Sequence, residues 1–261
     1  MFDYSFSYGD LEYFMLVFIR VASFIYVAPF FSMSNTPRNV RVALSFFVAI
    51  LLYYSVPRVE IEYSNLIGYS IIVLKEIVTG LLIGFAANLC TTIVTFAGQV
   101  ADMEMGLSMA SLMDPATRTS STISGVYYNY LVLLMLIISG MHRYLIKALA
   151  ETFILIPVDG VMLRGENMLA AMIDFMGSYI IVGFRICLPV FAVMLILNCV
   201  LGILAKVSPQ LNMFAVGIQM KVLVGLSVLL VTTIMLPGAA DFIYEQMKRM
   251  VVSFVEVLRP L

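Results

Sequence analysis

Five side chains that could do chemistry in this sequence are charged residues inside apolar segments. They are Arg20, Lys75, Glu76, Arg185 and Lys221. A charge at the centre of a membrane costs about 2.5 to 3.5 kcal/mol on insertion scales, so it is expected to face a partner, another subunit or water. We therefore predict that these residues, together with Lys206, are buried charges used in subunit contacts.

Glycines accompany two of these charges at helical spacing. The two sets are Glu76 with Gly80 and Gly84, and Lys221 with Gly217 and Gly225. Residues four apart lie on one face of a helix, and glycine stripes let helix backbones approach closely. We predict that both faces are packing seams and that Glu76 pairs with Lys221. The alternative is that each charge finds a different partner, such as Arg185 for Glu76, or water.

A serine and a histidine raise the question of nucleophilic catalysis. Gly106-x-Ser108 and His142 could form an intramembrane serine protease dyad, since a hydroxyl nucleophile needs a base within hydrogen-bond reach. The chain has one histidine, no third orienting group is evident, and Met109 stands where rhomboid-type motifs carry glycine. We therefore predict that the protein is not an enzyme.

Between residues 97 and 124 the apolar sequence is interrupted by glycine, serine and methionine. Met105, Met109 and Met113 recur every four residues. Thioether side chains are adaptable and suit surfaces that must seal and reopen, although ordinary core packing is the alternative. Lipid offers no hydrogen-bond partners, so non-helical backbone at membrane depth must be shielded by protein or line water. The interruption therefore indicates a pore or a binding site.

Apolar helices must position these residues. The chain is 62% hydrophobic and 12% charged, with mean hydropathy +1.03, which is typical of a polytopic membrane protein and not of a soluble domain. A span takes about 20 helical residues, and the candidates are 11–31, 40–56, 66–88, 123–140, 179–205 and 213–236. Longer apolar stretches at 66–100 and 168–205 predict bent helices or helix pairs. We expect an all-α membrane protein with about six long, partly bent helices in hairpins.

Charge and cysteine content exclude several other classes. A net charge of −1 without any basic cluster argues against nucleic-acid binding, and points to lipid and protein partners. The three cysteines have no metal-ligand spacing, so we expect neither a metal nor a cofactor. Residues 241–261 carry apolar side chains at helical spacing and predict an amphipathic tail for the membrane interface or a partner.

The same residues follow, in order, a pattern that resembles the FliR family of type III export gate proteins. The matching positions are Arg20, Pro29, Pro37, Arg41, Glu76, Gly80, Gly84, Phe85, 97–99, Asp102, 105–108, Asp114, Pro115, Pro189, Asn198, Gly202, 209–212, Phe214, Gly217, Lys221 and Gly225. The ordered set is specific, although no single motif is, and it runs over nearly the whole chain.

This resemblance implies a single membrane domain over residues 1–261, looking like a fusion of FliP and FliQ helical hairpins. It implies a subunit that closes a ring of FliP and FliQ around a channel for unfolded export substrates, in the bacterial inner membrane at the base of the flagellar basal body. FlhB and FlhA would be further partners. A virulence secretion system of the same family is equally compatible with the motifs.

The resemblance also implies a role for the central interruption. In the family, the loop corresponding to residues 106–121 resembles a plug that keeps the channel shut. Carried over, the plug and gate residues are Met105, Gly106, Leu107, Ser108, Met109, Leu112, Met113, Asp114 and Pro115. A secondary transporter is the alternative from another class, because broken helices and midplane charges occur there too. It would need an internal repeat, and we find none that is convincing.

Overall fold

A computed structural model describes residues 8–33, 36–57, 61, 63, 65–107, 112–113, 120–161, 165–208, 210 and 213–259. Within them lie α1 (Tyr8–Val27), α2 (Arg38–Ser55), α3 (Leu66–Met105), α4 (Ile123–Ile138), α5 (Met141–Leu155), α6 (Gly165–Val207), α7 (Met213–Thr232) and α8 (Leu236–Leu258). A 3-10 turn, Thr233–Met235, joins α7 to α8. Strands β1 (Leu112–Met113) and β2 (Ser120–Ser121) form an antiparallel pair of two residues each.

Several helices have the length and composition of membrane spans. Among the described residues, Leu66–Met105, Leu169–Val207 and Ala215–Leu258 are long and apolar enough to cross a membrane. A fourth crossing is added if Ile123–Ile138 and Met141–Leu155 act as one broken span. The predicted fold class, an all-α membrane protein, is confirmed.

The helix boundaries differ from those predicted, most of all at α3, α5, α6 and α8. The predicted segments 66–88 and 179–205 are parts of the longer helices α3 and α6. Helix α5 was not predicted, because Arg143, Lys147 and Glu151 interrupt its sequence and leave no continuous apolar run of the length of a span. Helix α8 begins at Leu236, before the predicted tail at 241–261.

The chain forms two compact units that alternate along the sequence. The first unit contains Met1–Leu89, Gly140–Phe175 and Gln246–Leu261, and the second unit contains Cys90–Ser139 and Met176–Glu245. The boundary at residue 140 coincides with a break between helices. Gly140 ends α4 with φ +81, a conformation that is costly for any residue with a side chain.

In the first unit, α1 packs against α2 and against the first half of α3. Leu16, Val17 and Phe24 of α1 are fully buried. A Cβ atom added to Gly84 would lie 2.9 Å from the carbonyl oxygen of Phe24, and one added to Gly80 would lie 3.1 Å from its amide nitrogen. Glycine at both positions therefore lets the α3 backbone approach α1 directly.

The second unit has its own apolar core. Ile93 and Val94 of α3, Leu136 of α4, and Val190 and Met194 of α6 are buried there. Burying such a side chain contributes about 1.5 to 3 kcal/mol in water. In a membrane, dense packing and polar contacts between helices replace much of that driving force. Hydrogen bonds and ion pairs between helices therefore matter for holding the helices of each unit together.

Candidate functional site

Helix α3 continues through part of the predicted interruption. The loop expected over 97–124 is shorter, because α3 is helical to Met105 and α4 begins at Ile123. The residues between Ala97 and Met105 keep helical geometry because Ala97 and Ala101 are buried apolar residues and the one buried charged side chain among them, Asp102, has a hydrogen-bond partner. The segment between the two helices, residues 106–122, is called the α3–α4 loop below.

Hydrogen bonds between Asp102 and Ser124 join the two ends of the α3–α4 loop. Asp102 near the end of α3 is fully buried, and its Oδ2 accepts a hydrogen bond of 2.7 Å from the backbone N–H of Ser124. Its Oδ1 accepts a second bond from the Ser124 hydroxyl. The Ser124 N–H belongs to the first turn of α4, where amide groups lack helical partners and a negative charge is favourable. Asp102 therefore caps α4 from a different helix.

Two glycines bring the helix backbones together at the same place. A Cβ atom on Gly98 would lie 2.8 Å from the carbonyl carbon of Ser124 and closer still to Gly125. One on Gly125 would lie 3.3 Å from the carbonyl oxygen of Thr95. Gly98, Asp102, Ser124 and Gly125, called the loop base below, thus hold α3 against α4 on either side of the loop.

The loop base predicts a strong effect of a single methyl group. We expect Gly98→Ala to destabilise the protein by about 1 to 3 kcal/mol, because the new Cβ overlaps the α4 backbone and cannot relax by rotation. Gly202→Ala in α6 is the matched control, since nothing lies within 4 Å of that position. It should be neutral or stabilising by about 0.5 to 1 kcal/mol, as alanine favours a helix. The two variants are compared by thermal unfolding in detergent. Equal unfolding midpoints would contradict the close approach of α3 and α4 at Gly98.

Met105, expected to be part of the plug, is an anchored residue. It is the last residue of α3 and is fully buried, with its side chain filling the space left by the missing side chain of Gly225. Met194 borders the same space, 3.2 Å from where a Gly225 Cβ would be. Gly217, the other glycine predicted on α7, would bring a Cβ to 3.7 Å from Leu201, an ordinary contact.

The loop itself begins with a glycine and closes as a short hairpin. Gly106 has φ +77 with open space around it, so it ends α3 in the left-handed conformation that glycine tolerates. Leu112 pairs with Ser121, and Met113 with Ser120. Four predicted plug residues, Ser108, Met109, Asp114 and Pro115, lie outside the described residues, as does the serine of the hypothetical protease dyad.

The first unit contains a buried ion pair that joins α1 to α3. Arg20 and Glu76 are both fully buried, with Arg20 Nη2 donating to Glu76 Oε1 at 2.9 Å and Nε donating to Oε2. The predicted pairing of Glu76 with Lys221 is wrong. The glycine face of α3 that carries Glu76 packs on α1, so the charge it meets is the one on α1.

The end of α5 and the segment after it make further contacts with the Arg20–Glu76 pair. Arg20 Nη1 donates to the carbonyl oxygen of Ile156 at 2.9 Å, and the N–H of Asp159 donates to Glu76 Oε1 at 3.2 Å. The guanidinium carbon lies 4.3 Å from the ring centroid of Phe153, a favourable cation–π distance. Three separate parts of the chain therefore meet at one buried pair.

A second ion pair lies beside it. Lys75 Nζ is 2.7 Å from Asp159 Oδ1, and the two side chains are 33% and 42% exposed. Asp159 has φ 68, an uncommon conformation for a residue with a side chain. The turn at Asp159 is thus held by two neighbouring residues of α3: Glu76 accepts a hydrogen bond from its backbone N–H, and Lys75 forms a partly exposed ion pair with its side chain.

The other predicted charges are not buried in the chain. Arg185 and Lys206 of α6 are exposed and Lys221 of α7 is half-buried, so their use in subunit contacts stays a prediction. A sequence pattern places a charge within an apolar helix but does not show which side of the helix faces protein. Within the described part of the chain, none of the three forms an ion pair.

Sequence reasoning missed the hydrogen-bond partners at the loop base and around the Arg20–Glu76 ion pair. Asp102 entered only through the family resemblance, and Ser124, Ile156 and Asp159 were not singled out. A signal existed for the loop base, because a carboxylate near a helix end followed by a serine at the next helix start is a plausible capping pair. No local pattern could identify the Ile156 carbonyl, since every residue carries one.

Long apolar helices with charges paired between them define an all-α, polytopic membrane protein. Residues 11–247 match the family described as "Bacterial export proteins, family 1", and the chain belongs to that family. It is similar to the flagellar biosynthetic protein FliR of Bacillus subtilis, with 31% identity over 223 residues covering 84% of this chain and 85% of the relative.

Two further relatives carry the same name. The FliR protein of Buchnera aphidicola from Acyrthosiphon pisum is 29% identical over 220 residues, covering 84% of each chain. The FliR protein of Escherichia coli is 26% identical over 241 residues, covering 92% of this chain and 91% of its own. The similarity therefore covers most of both proteins in each comparison.

Proposed function

We propose that this protein is a subunit of the flagellar protein export gate, in the bacterial inner membrane at the base of the basal body. Membership of a bacterial export family and near full-length similarity to proteins named FliR support this assignment. The flagellar names of these relatives favour the flagellum over the virulence systems. The helices long enough to span a membrane agree with an integral subunit.

The α3–α4 loop is the proposed moving closure of the gate. The observation that carries this proposal is the loop base, in which Asp102 bonds to both the amide and the hydroxyl of Ser124. Because the two helix ends are held together there, the loop can be displaced by a passing chain while its attachment stays in place. Met109 and Met113 would supply the adaptable apolar contacts of a seal.

The ring of neighbours follows from the family resemblance. We place FliP-type and FliQ-type subunits beside this chain, with FlhB-type and FlhA-type proteins as further partners and unfolded export substrates in transit. Lys206 and Lys221 are candidates for contacts to these neighbours. Each lies in an apolar helix or at its end and forms no ion pair within the described residues, so a carboxylate on another subunit would satisfy it.

A deletion strain tests the proposed function. Cells lacking the gene should be non-motile and should fail to export flagellar subunits, and the intact gene should restore both. A tagged copy should copurify with FliP-type and FliQ-type proteins. Normal motility with loss of virulence secretion would assign the protein to the other system, and purification alone with a bound small solute would favour a transporter.

One variant separates the gate from an enzyme. We expect Ser108→Ala to leave motility unchanged, because a plug does not depend on a single hydroxyl group. A protease that used Ser108 as its nucleophile would lose all activity, so a non-motile Ser108→Ala strain with normal protein levels would contradict the proposal.

A further inference from the structure

The second unit contains a pocket of about 320 Å³. Its wall carries one cation, Arg185, and two hydroxyl groups, those of Tyr128 and Thr232; the rest is mainly apolar and includes Pro189, Met235 and Phe242. Small-molecule sites in proteins commonly have volumes of about 300 to 1,000 Å³. The pocket is therefore of ligand size, and its chemistry is that of one charged group in an apolar cleft.

A helix-internal proline and a 3-10 turn both border the pocket. Pro189 lies inside α6 and has no N–H to donate to the carbonyl of Arg185, one helical turn earlier. Helix α7 gives way to the 3-10 turn Thr233–Met235 before α8 begins. Pro189 and Met235 each contribute to the pocket wall.

The hydroxyl groups in the wall already have partners. The Tyr128 and Thr232 hydroxyl oxygens are 2.9 Å apart, and Thr232 is also within 2.9 Å of the carbonyl oxygen of Leu229. A ligand is therefore not needed to satisfy them. The Arg185 side chain is the group in this pocket that requires an opposite charge.

Arg185 is presented toward the outside of an apolar helix. It is exposed, and its guanidinium carbon lies 5.7 Å from the ring centroid of Phe242, close to the limit for a cation–π contact. Ile181 and Leu188 on the same helix are 69% and 60% exposed. A cation surrounded by such a surface is costly in a membrane unless an anion neutralises it.

We propose that this pocket binds a membrane phospholipid with an anionic headgroup. The lipid phosphate contacts Arg185, and part of an acyl chain fills the apolar cleft beside Pro189 and Phe242. Basic pockets between membrane helices recognise anionic headgroups in this way. A carboxylate side chain from a neighbouring subunit could neutralise Arg185, but it would leave most of the volume empty, so the size of the cleft favours the lipid.

The test uses the purified export complex in detergent with spin-labelled lipids. The wild-type complex should bind labelled phosphatidylglycerol at least about tenfold more tightly than labelled phosphatidylcholine, and Arg185→Gln should remove this preference. A tenfold preference corresponds to about 1.4 kcal/mol, which a hydrogen bond between charged groups can supply. Arg249→Gln is the matched control, with the same charge change at an exposed arginine of α8 that does not line the pocket, and it should bind like wild type.

A second variant tests the apolar part of the site. Gly238 lines the pocket, and a Cβ atom added there would have nothing within 4 Å, so Gly238→Leu places an apolar side chain at the cleft. It should weaken binding of both labelled lipids while leaving Arg185 unchanged. Equal binding by wild type and Gly238→Leu would show that no acyl chain enters the cleft and would overturn the proposal.

Other outcomes overturn the proposal by pointing to a different ligand. Unchanged phosphatidylglycerol preference in Arg185→Gln would remove Arg185 from lipid recognition. Loss of neighbouring subunits from the purified Arg185→Gln complex, with lipid binding intact, would assign the arginine to a protein carboxylate. Displacement of labelled phosphatidylglycerol by equimolar inorganic phosphate would indicate a free-anion site. The gate assignment is tested separately by motility, so it does not depend on any of these results.

Discussion

Removing residues 106–120 should leave the export complex assembled and make its membrane conduct ions. The deletion takes out the proposed closure but retains α3, α4 and the loop base. Because Asp102 and Ser124 are in direct contact across the gap, a short Gly–Ser linker can join the helices without stretching the chain, and closing a short loop costs little entropy. The change from closed to conducting should be the largest functional effect of any alteration proposed for this protein.

Two readouts are needed for this experiment. Copurification of the tagged deletion variant with its neighbours reports assembly, and conductance of the reconstituted complex in a planar bilayer reports closure. The wild-type complex should show no steady current, and the deletion variant should show one. An unchanged ion permeability in an assembled deletion complex would contradict the assignment of the loop as a plug.

Milder variants separate the seal from its attachment. Met109→Ser combined with Met113→Ser keeps the loop length and removes the thioethers, and it should leak if these side chains form the seal. The double variant also keeps the test decisive if the deletion variant does not assemble.

Asp102→Asn keeps the loop but weakens the loop base, since a neutral amide is a poorer acceptor for the Ser124 amide and hydroxyl. It should leak less than the deletion.

Breaking the Arg20–Glu76 pair should give the largest loss of stability in the chain. We expect Glu76→Ala to cost about 3 to 5 kcal/mol, because it leaves the Arg20 guanidinium buried without its counter-charge. Lys75→Ala is the matched control on the adjacent residue. Its pair with Asp159 is partly exposed, and exposed ion pairs contribute only about 0 to 1 kcal/mol.

A double replacement separates the cost of an unpaired buried charge from the cost of lost side-chain volume. Arg20→Met with Glu76→Leu removes both charges together, and replacing a buried ion pair by apolar residues of similar volume is often neutral or stabilising. The double variant should therefore unfold at a higher temperature than Glu76→Ala alone. Equal losses of stability in Glu76→Ala and Lys75→Ala, measured by thermal unfolding of the purified protein, would show that the buried pair has no special role.

The Arg20–Glu76 pair and the loop base hold the same long helix, α3, in different ways. In the first unit, Glu76 and Gly80 tie α3 firmly to α1 through charge and backbone contact. In the second unit, Gly98 and Asp102 hold α3 to α4 but leave the chain after Met105 to begin a loop. A firm attachment beside the α3–α4 loop is what the proposed closure would require, because the loop would have to move without disassembling the subunit.

The sequence alone determined the membrane class, the all-α fold and the family, because composition, apolar length and ordered motifs are properties of the chain itself. It also showed that Glu76 and Gly80 share a helix face, since helical spacing is local. The family resemblance, not the residue spacing, assigned the plug role to residues near Met105 and Asp114.

Only the tertiary structure decided which groups meet. It paired Glu76 with Arg20, carried α3 through Asp102 to Met105, and left Arg185 exposed beside a pocket. These outcomes depend on contacts between residues far apart in the chain, such as Arg20 with Ile156. Helical periodicity shows which side chains share a face, but which face meets which neighbour depends on how all the helices pack together.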